Sequence, residues 1–165
     1  MNDLFIPLKD VGHENIAPYG ALIDTEVRRP DASSAIFDYW DRLGEVDAAG
    51  RVSFGVVRSH PGPLVVVNLE RHAKTSETLI PMDGEIVLVV AAVTTSDSAD
   101  LGSLSAFRVP QGYAVTLRPG TWHYVPLNER QEVKTMVVFR SGTSHDDLLV
   151  DDFLHERDTR VTVKA

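Results

Sequence analysis

From Val52 onward the chain is written in short runs in which apolar and polar residues alternate, and helical spacing is scarce. Period-two alternation puts successive side chains on opposite faces of a strand. It predicts strands over residues 52–57, 64–72, 75–80, 104–109, 113–117, 122–125 and 135–139. Residues 86–93 are apolar throughout, which predicts a strand buried on both faces. Turn chemistry separates these runs: His60-Pro61-Gly62-Pro63, Pro81-Met82-Asp83-Gly84, Pro110-Gln111-Gly112 and Pro119-Gly120. Many short strands with such punctuation predict an all-β sandwich or barrel. The N-terminal third is less patterned. Residues 10–18 predict a short helix capped by Asp10 and stopped near Pro18, residues 31–40 leave a short helix after Pro30 open, and residues 47–50 read as a turn.

Composition narrows the chemistry. At 165 residues one domain, spanning 1–165, is expected, with enough core to fold without staples. The chain has no cysteine, which excludes a disulfide framework, a thiolate zinc site and a cysteine nucleophile. A net charge of −8 argues against a nucleic-acid partner. The longest apolar run is too short to span a bilayer, and the first residues lack a basic and then apolar leader pattern, so no membrane partner and a cytoplasmic location are expected. Four lysines stand beside twelve arginines, and arginine is the donor suited to small carboxylates. Tyr19, Phe54, Phe107 and Phe139 are expected in the core. His13, His145 and His155 are expected in solvent, His60 is either exposed or on a pocket rim, and Trp40 has no assigned role. Asp146-Asp147 and Asp151-Asp152 read as a solvated acidic stretch, since the spacing of a calcium loop is absent.

Two stretches can carry chemistry. In the first, Asn68, Glu70 and His72 project from one strand face while Val67 and Leu69 project from the other, so a carboxylate and an imidazole share a surface. In the second, His123 follows the Pro119-Gly120 turn and is flanked by Trp122 and Tyr124. Each alone is as compatible with a surface pair or a satisfied core histidine. Together, Glu70-x-His72-x₄-Glu77-x₆-Gly84 and Gly112…Pro119-Gly120-x₂-His123 resemble the two motifs of the cupin superfamily. Glu70 takes the place of the first motif's leading histidine, and Asn128 falls one residue late for the second motif's trailing asparagine. The departure is similar to a narrower group: Leu69-Glu70-Arg71-His72, Ile80-Pro81-Met82-Asp83-Gly84-Glu85 and Trp122-His123 resemble the ureidoglycolate lyase family. Ala17-Pro18-Tyr19-Gly20, Arg58, and Arg140 with Gly142, Ser144 and Asp146 extend the resemblance over most of the chain. Glu77 stands where the well-studied branch of that family carries glutamine.

The resemblance implies a cupin-type jelly-roll barrel with minor helices, a homodimer, and an enzyme that splits ureidoglycolate into glyoxylate and urea in allantoin degradation. On that reading His72 and His123 carry protons, and Glu70 or Glu77 orients an imidazole or acts as base. Arg58 or Arg140 holds the carboxylate of a small anionic substrate, and Trp122 and Tyr124 wall the pocket. The first expectation is a site that needs no tightly bound metal. A divalent ion on Glu70, His72, Glu77 and His123 stays open. So do a metal-dependent isomerase or oxygenase acting on another small acid and a non-catalytic small-anion binder.

Overall fold

A computed structural model describes Met1–Ala165. Its strands, in chain order, are β1 (Asn2–Asp10), β2 (Gly20–Ile23), β3 (Ala32–Ser33), β4 (Asp38–Tyr39), β5 (Val52–Ser59), β6 (Val65–Val66), β7 (Leu69–Arg71), β8 (Glu77–Pro81), β9 (Ile86–Ala91), β10 (Ser105–Val109), β11 (Ala114–Leu117), β12 (Trp122–His123), β13 (Val133–Arg140), β14 (Leu149–Asp151) and β15 (Thr159–Lys164). Helix is limited to α1 (His13–Ile16), α2 (Thr143–Asp146) and α3 (Phe153–Arg157), with a 3₁₀ turn at Leu101–Ser103. No helix is long and apolar enough to cross a membrane.

Two sheets make the body. One has eight strands in the order β14-β7-β12-β9-β10-β1-β15-β6, the other five in the order β2-β11-β8-β13-β5. The expected double-sided strand is β9. Ile86, Leu88 and Val90 enter a core cluster that also holds Leu79, Val115, Leu117 and Val137 of the facing sheet. Val87, Val89 and Ala91 enter a second cluster with Leu64, Val66, Val161, Val163 and Phe153. Because β6 and β15 belong to the same sheet as β9, the eight-stranded sheet curls so that its far limb covers its own outer face. The result is a two-sheet jelly roll, all-β as the punctuation predicts.

Several elements differ from the sequence reading. Residues 2–10 form β1, running parallel to both β10 and β15. Asp10 ends that strand and pairs with Arg108 instead of capping a helix, and the helix that follows is a single turn begun at Gly12. Pro7 inside the run and the strand's mostly exposed side chains hide its pattern. Residues 32–39 form the hairpin β3–β4, whose side chains are exposed. The single strand read over 64–72 is two: β6 pairs with β15, while β7 pairs with β12 and β14. Tyr19 and Phe107 are core and Phe139 packs on its edge, but Phe54 is 70% exposed, because it lies on the outer face of the edge strand β5. Asp147 and Asp151 are buried, not solvated. Asp151 accepts from the Ala99 N–H and pairs with Arg157.

If β9 is the slab on which both clusters rest, Leu88→Ala should cost about 2–5 kcal/mol. Urea unfolding of the variant measures this, and a loss within error of zero would remove β9 from the centre of the fold.

Candidate active site

β7 and β12 are adjacent strands, and their one paired position sets His123 opposite Glu70. His72 follows β7 directly, and Glu77 opens β8 on the facing sheet. The turn before β12 locks these pieces together, for the Gly120 N–H donates to the His72 carbonyl at 2.7 Å. Gly120 holds φ +83°, a left-handed conformation that favours glycine, and an added Cβ would meet Val93 at 3.2 Å. From behind, the Arg71 guanidinium stacks on the Trp122 ring at 4.7 Å and donates to the Thr94 carbonyl. Alternation does the rest: Arg71 and Trp122 face one side, Glu70 and His123 the other.

The four acid–base candidates converge. Oε2 of Glu77 lies 3.1 Å from His72 Nε2 and 2.8 Å from His123 Nε2. Oε1 of Glu70 lies 3.9 and 3.6 Å from the same two nitrogens. Glu77, His72 and His123 are all buried, while the Glu70 side chain is 32% exposed. Both rings are oriented from their other nitrogen. His72 Nδ1–H donates to the Asp147 carbonyl at 2.7 Å and His123 Nδ1–H to the Thr121 carbonyl at 3.0 Å. A carbonyl only accepts, so each Nδ1 carries a proton and each Nε2 is turned toward Glu77. The two rings lie 5.2 Å apart, and Phe139 meets His72 edge-on at 5.6 Å.

Charge follows from this geometry. Burial alone would discharge His123, but the Glu77 carboxylate and then Glu70 outweigh it, and the ring is pushed up to about 10. For His72, burial and the neighbouring His123 oppose protonation, and the Glu77 carboxylate close by overcomes them, so its value is raised. Burial would raise Glu77, yet His123 and His72 together hold it well below the usual carboxylate range.

The centre also fits a cation. Ligand atoms of Glu70, His72 and His123 all lie within 4.8 Å of one another. Glu77 Oε2 and His123 Nε2 are buried without an aligned hydrogen-bond partner, so their close approach is a charge contact. Carboxylate and imidazole donors of this kind suit zinc, manganese, iron or nickel.

The other four candidates lie elsewhere. Arg58 sits one residue past Val57, which packs on the inner cluster, so its side chain leaves the outer face of β5 and pairs with Glu132. Arg140 follows the inward Phe139 and pairs with Asp146. Trp122 is fully buried in the second cluster, where its Nε1–H donates to Thr94, and Tyr124 packs against that same cluster. The alternation that turns His123 inward turns both aromatics away. Of the remaining histidines, His60 is exposed beside Glu132, and His13 pairs with Asp24. Asp147 was missed. It reaches His72 across 75 residues of chain, and no local pattern signals such a contact.

Fold and site together define a small jelly-roll protein with an internal carboxylate–imidazole centre. A family model described as ureidoglycolate lyase matches residues 3–161. The chain is 30% identical over 144 residues to "Ureidoglycolate lyase" of Escherichia coli O139:H28, covering 84% of this chain and 89% of that one. It is 26% identical over 145 residues to "Ureidoglycolate lyase 2" of Rhizobium meliloti, covering 84% and 87%. The chain belongs to the ureidoglycolate lyase family. Among solved structures, oxalate decarboxylase from Bacillus subtilis aligns at TM-score 0.41 with 18% identity over 53% of this chain, which spans 21% of that one.

The raised His123 and lowered Glu77 set the sign of a pH dependence in metal-free protein. His123 keeps its proton when folded up to about 10 and loses it near ~6.5 when unfolded, so its contribution is complete below ~6.5 and is lost as pH rises through 10. Glu77 contributes above its unfolded value of ~4.3, and that contribution is lost as pH falls through its lower folded value. Urea midpoints in chelator should therefore fall on both sides of neutrality. Glu77→Gln should flatten both limbs, and unchanged limbs in that variant would show the charge pairing to be misassigned.

Proposed function

We propose that this chain is a ureidoglycolate lyase, a single-domain cytoplasmic enzyme that cleaves ureidoglycolate to glyoxylate and urea in allantoin degradation. The observation that carries the reading is the convergence of two oriented imidazoles and two carboxylates at one buried point, in a chain of this family. Ureidoglycolate is a carbinolamide, whose one carbon bears a carboxylate, a hydroxyl and a ureido nitrogen. Glu70, the accessible carboxylate, takes the hydroxyl proton. The oxygen lone pair closes to a carbonyl, the C–N bond breaks, and its electrons go to the ureido nitrogen. His72 delivers a proton to that nitrogen as urea departs. Glu77 keeps both rings aimed and favours their charged forms, and His123 supplies a fixed positive charge beside the developing oxyanion. Since Arg58 and Arg140 are paired with acidic partners, the charged His123 ring meets the substrate carboxylate in their place.

One observation favours a second route. The unaligned Glu77 Oε2 and His123 Nε2, together with Glu70 and His72, would hold a divalent cation, which when bound supplies Lewis-acid stabilisation of the oxyanion. In that case Glu70 is a ligand, and the residues still orient the substrate and exclude water.

The test is glyoxylate release from ureidoglycolate, corrected for spontaneous decay. The intact chain should accelerate it, and His72→Ala and Glu70→Gln should each lower kcat by roughly 10²–10⁴-fold. No acceleration over the blank would overturn the assignment. Chelator-treated protein should keep its activity, whereas loss reversed by an added divalent ion would establish the metal route.

The same reading makes the protein a homodimer. It is supported by the exposed apolar face of β5, where Val52, Phe54 and Val56 stand clear of the barrel. Light scattering should give the dimer mass, and Phe54→Asp the monomer mass. A monomeric parent chain would remove the dimer.

A further inference from the structure

Three consecutive residues of the first motif are held by one distant residue. Asp147 follows α2, and its own N–H donates to the Thr143 carbonyl at 3.0 Å, which closes the helical turn. Its carboxylate accepts from the Ala73 N–H at 2.9 Å on Oδ1 and from the Lys74 N–H at 2.8 Å on Oδ2. Its main-chain carbonyl accepts from His72 Nδ1–H at 2.7 Å. The residue is 8% exposed, so these bonds have little competition from water.

We propose that Asp147 is a positioning residue for His72: its carboxylate clamps the 73–74 backbone, and its carbonyl thereby holds Nδ1–H and aims Nε2 at Glu77. The physical reasoning is direct. An imidazole N–H bonded to a fixed carbonyl holds the whole ring in one orientation. Take the carbonyl away and the ring can turn over, and Nε2 no longer faces Glu77. The carboxylate matters because it ties the segment bearing that carbonyl to the residues next to His72. Bonds to an ionised acceptor are the stronger kind, and here two of them converge on adjacent N–H groups. Outer partners of this sort tune the groups that do chemistry by one to two orders of magnitude. The inference rests on the lyase reading for its kinetic consequence only.

Two measurements test it on the full chain. In ¹⁵N-histidine protein, the His72 Nδ1–H resonance should be protected from exchange. Asp147→Ala should abolish that protection and leave the His123 Nδ1–H resonance, held by Thr121, in place. In the glyoxylate assay Asp147→Ala should lower kcat about 10- to 100-fold with KM changed less than about threefold. Asp147→Asn, which keeps one acceptor oxygen, should recover part of the loss. Asp151→Asn supplies the stability control, because it disturbs a buried carboxylate that binds Ala99 and Arg157 and does not contact His72. The proposal is overturned if the His72 resonance stays protected in Asp147→Ala. It is equally overturned if Asp151→Asn, at a matched Tm loss, reproduces both the kinetic and the resonance changes. Should the parent chain show no lyase activity, the functional reading fails, and the resonances still decide the role of Asp147.

Discussion

The structure turns on one buried carboxylate oxygen shared by two imidazoles. Glu77 is buried at the mouth of its strand, and a carboxylate taken out of water without compensation is among the most expensive groups a core can hold. Here the compensation is His72 on one side and His123 on the other, each locked through its far nitrogen to a backbone carbonyl. Because the Nδ1 positions are fixed, neither ring can satisfy Glu77 except through Nε2. The charge of His123 thus balances the buried carboxylate, and the nearby His72 ring adds to it. The ligand atoms of Glu70, His72 and His123 lie close enough to suit a divalent cation as well.

The rest of the fold keeps those three groups within reach of one another. β9 anchors the neighbouring strand β12 with apolar contacts on both faces, and β7 lies on the other side of β12. The Arg71–Trp122 stack holds the same two strands from behind, which explains why Glu-Arg-His and Trp-His belong together although Arg71 and Trp122 never face the centre. The Gly120 N–H completes the join by binding the His72 carbonyl. The residues between the reacting ones in both motifs thus act as mounting. Substituting them should alter geometry before it alters chemistry.

Much of this was legible in the sequence, and the rest turned on strand-face parity or on contacts between distant parts of the chain. Glu70, His72, Glu77 and His123 were found because local alternation and turn chemistry place them, and strand pairing then brings them together. The apolar run at β9 announced its double burial for the same reason. Arg58, Arg140, Trp122 and Tyr124 were misplaced relative to the centre, although period two already assigns Trp122 and Tyr124 to the face opposite His123. There composition and proximity in sequence were allowed to outweigh parity. β1 escaped because its pairing is parallel and long-range and its side chains are mostly exposed, so it carries little alternation. Asp147 escaped because its partners lie about seventy residues earlier in the chain. Its acidic neighbour Asp146, exposed beside Arg140, makes the pair look like ordinary solvated surface.

The most direct measurement of the central claim is the protonation state of the two buried rings, read from their ¹⁵N shifts in chelator-treated protein near pH 8. If Glu77 holds them as described, His123 carries protons on both nitrogens at that pH and loses one when Glu77 is replaced by glutamine. A neutral His123 at pH 8 in the parent chain, with shifts unmoved by that replacement, would contradict the account.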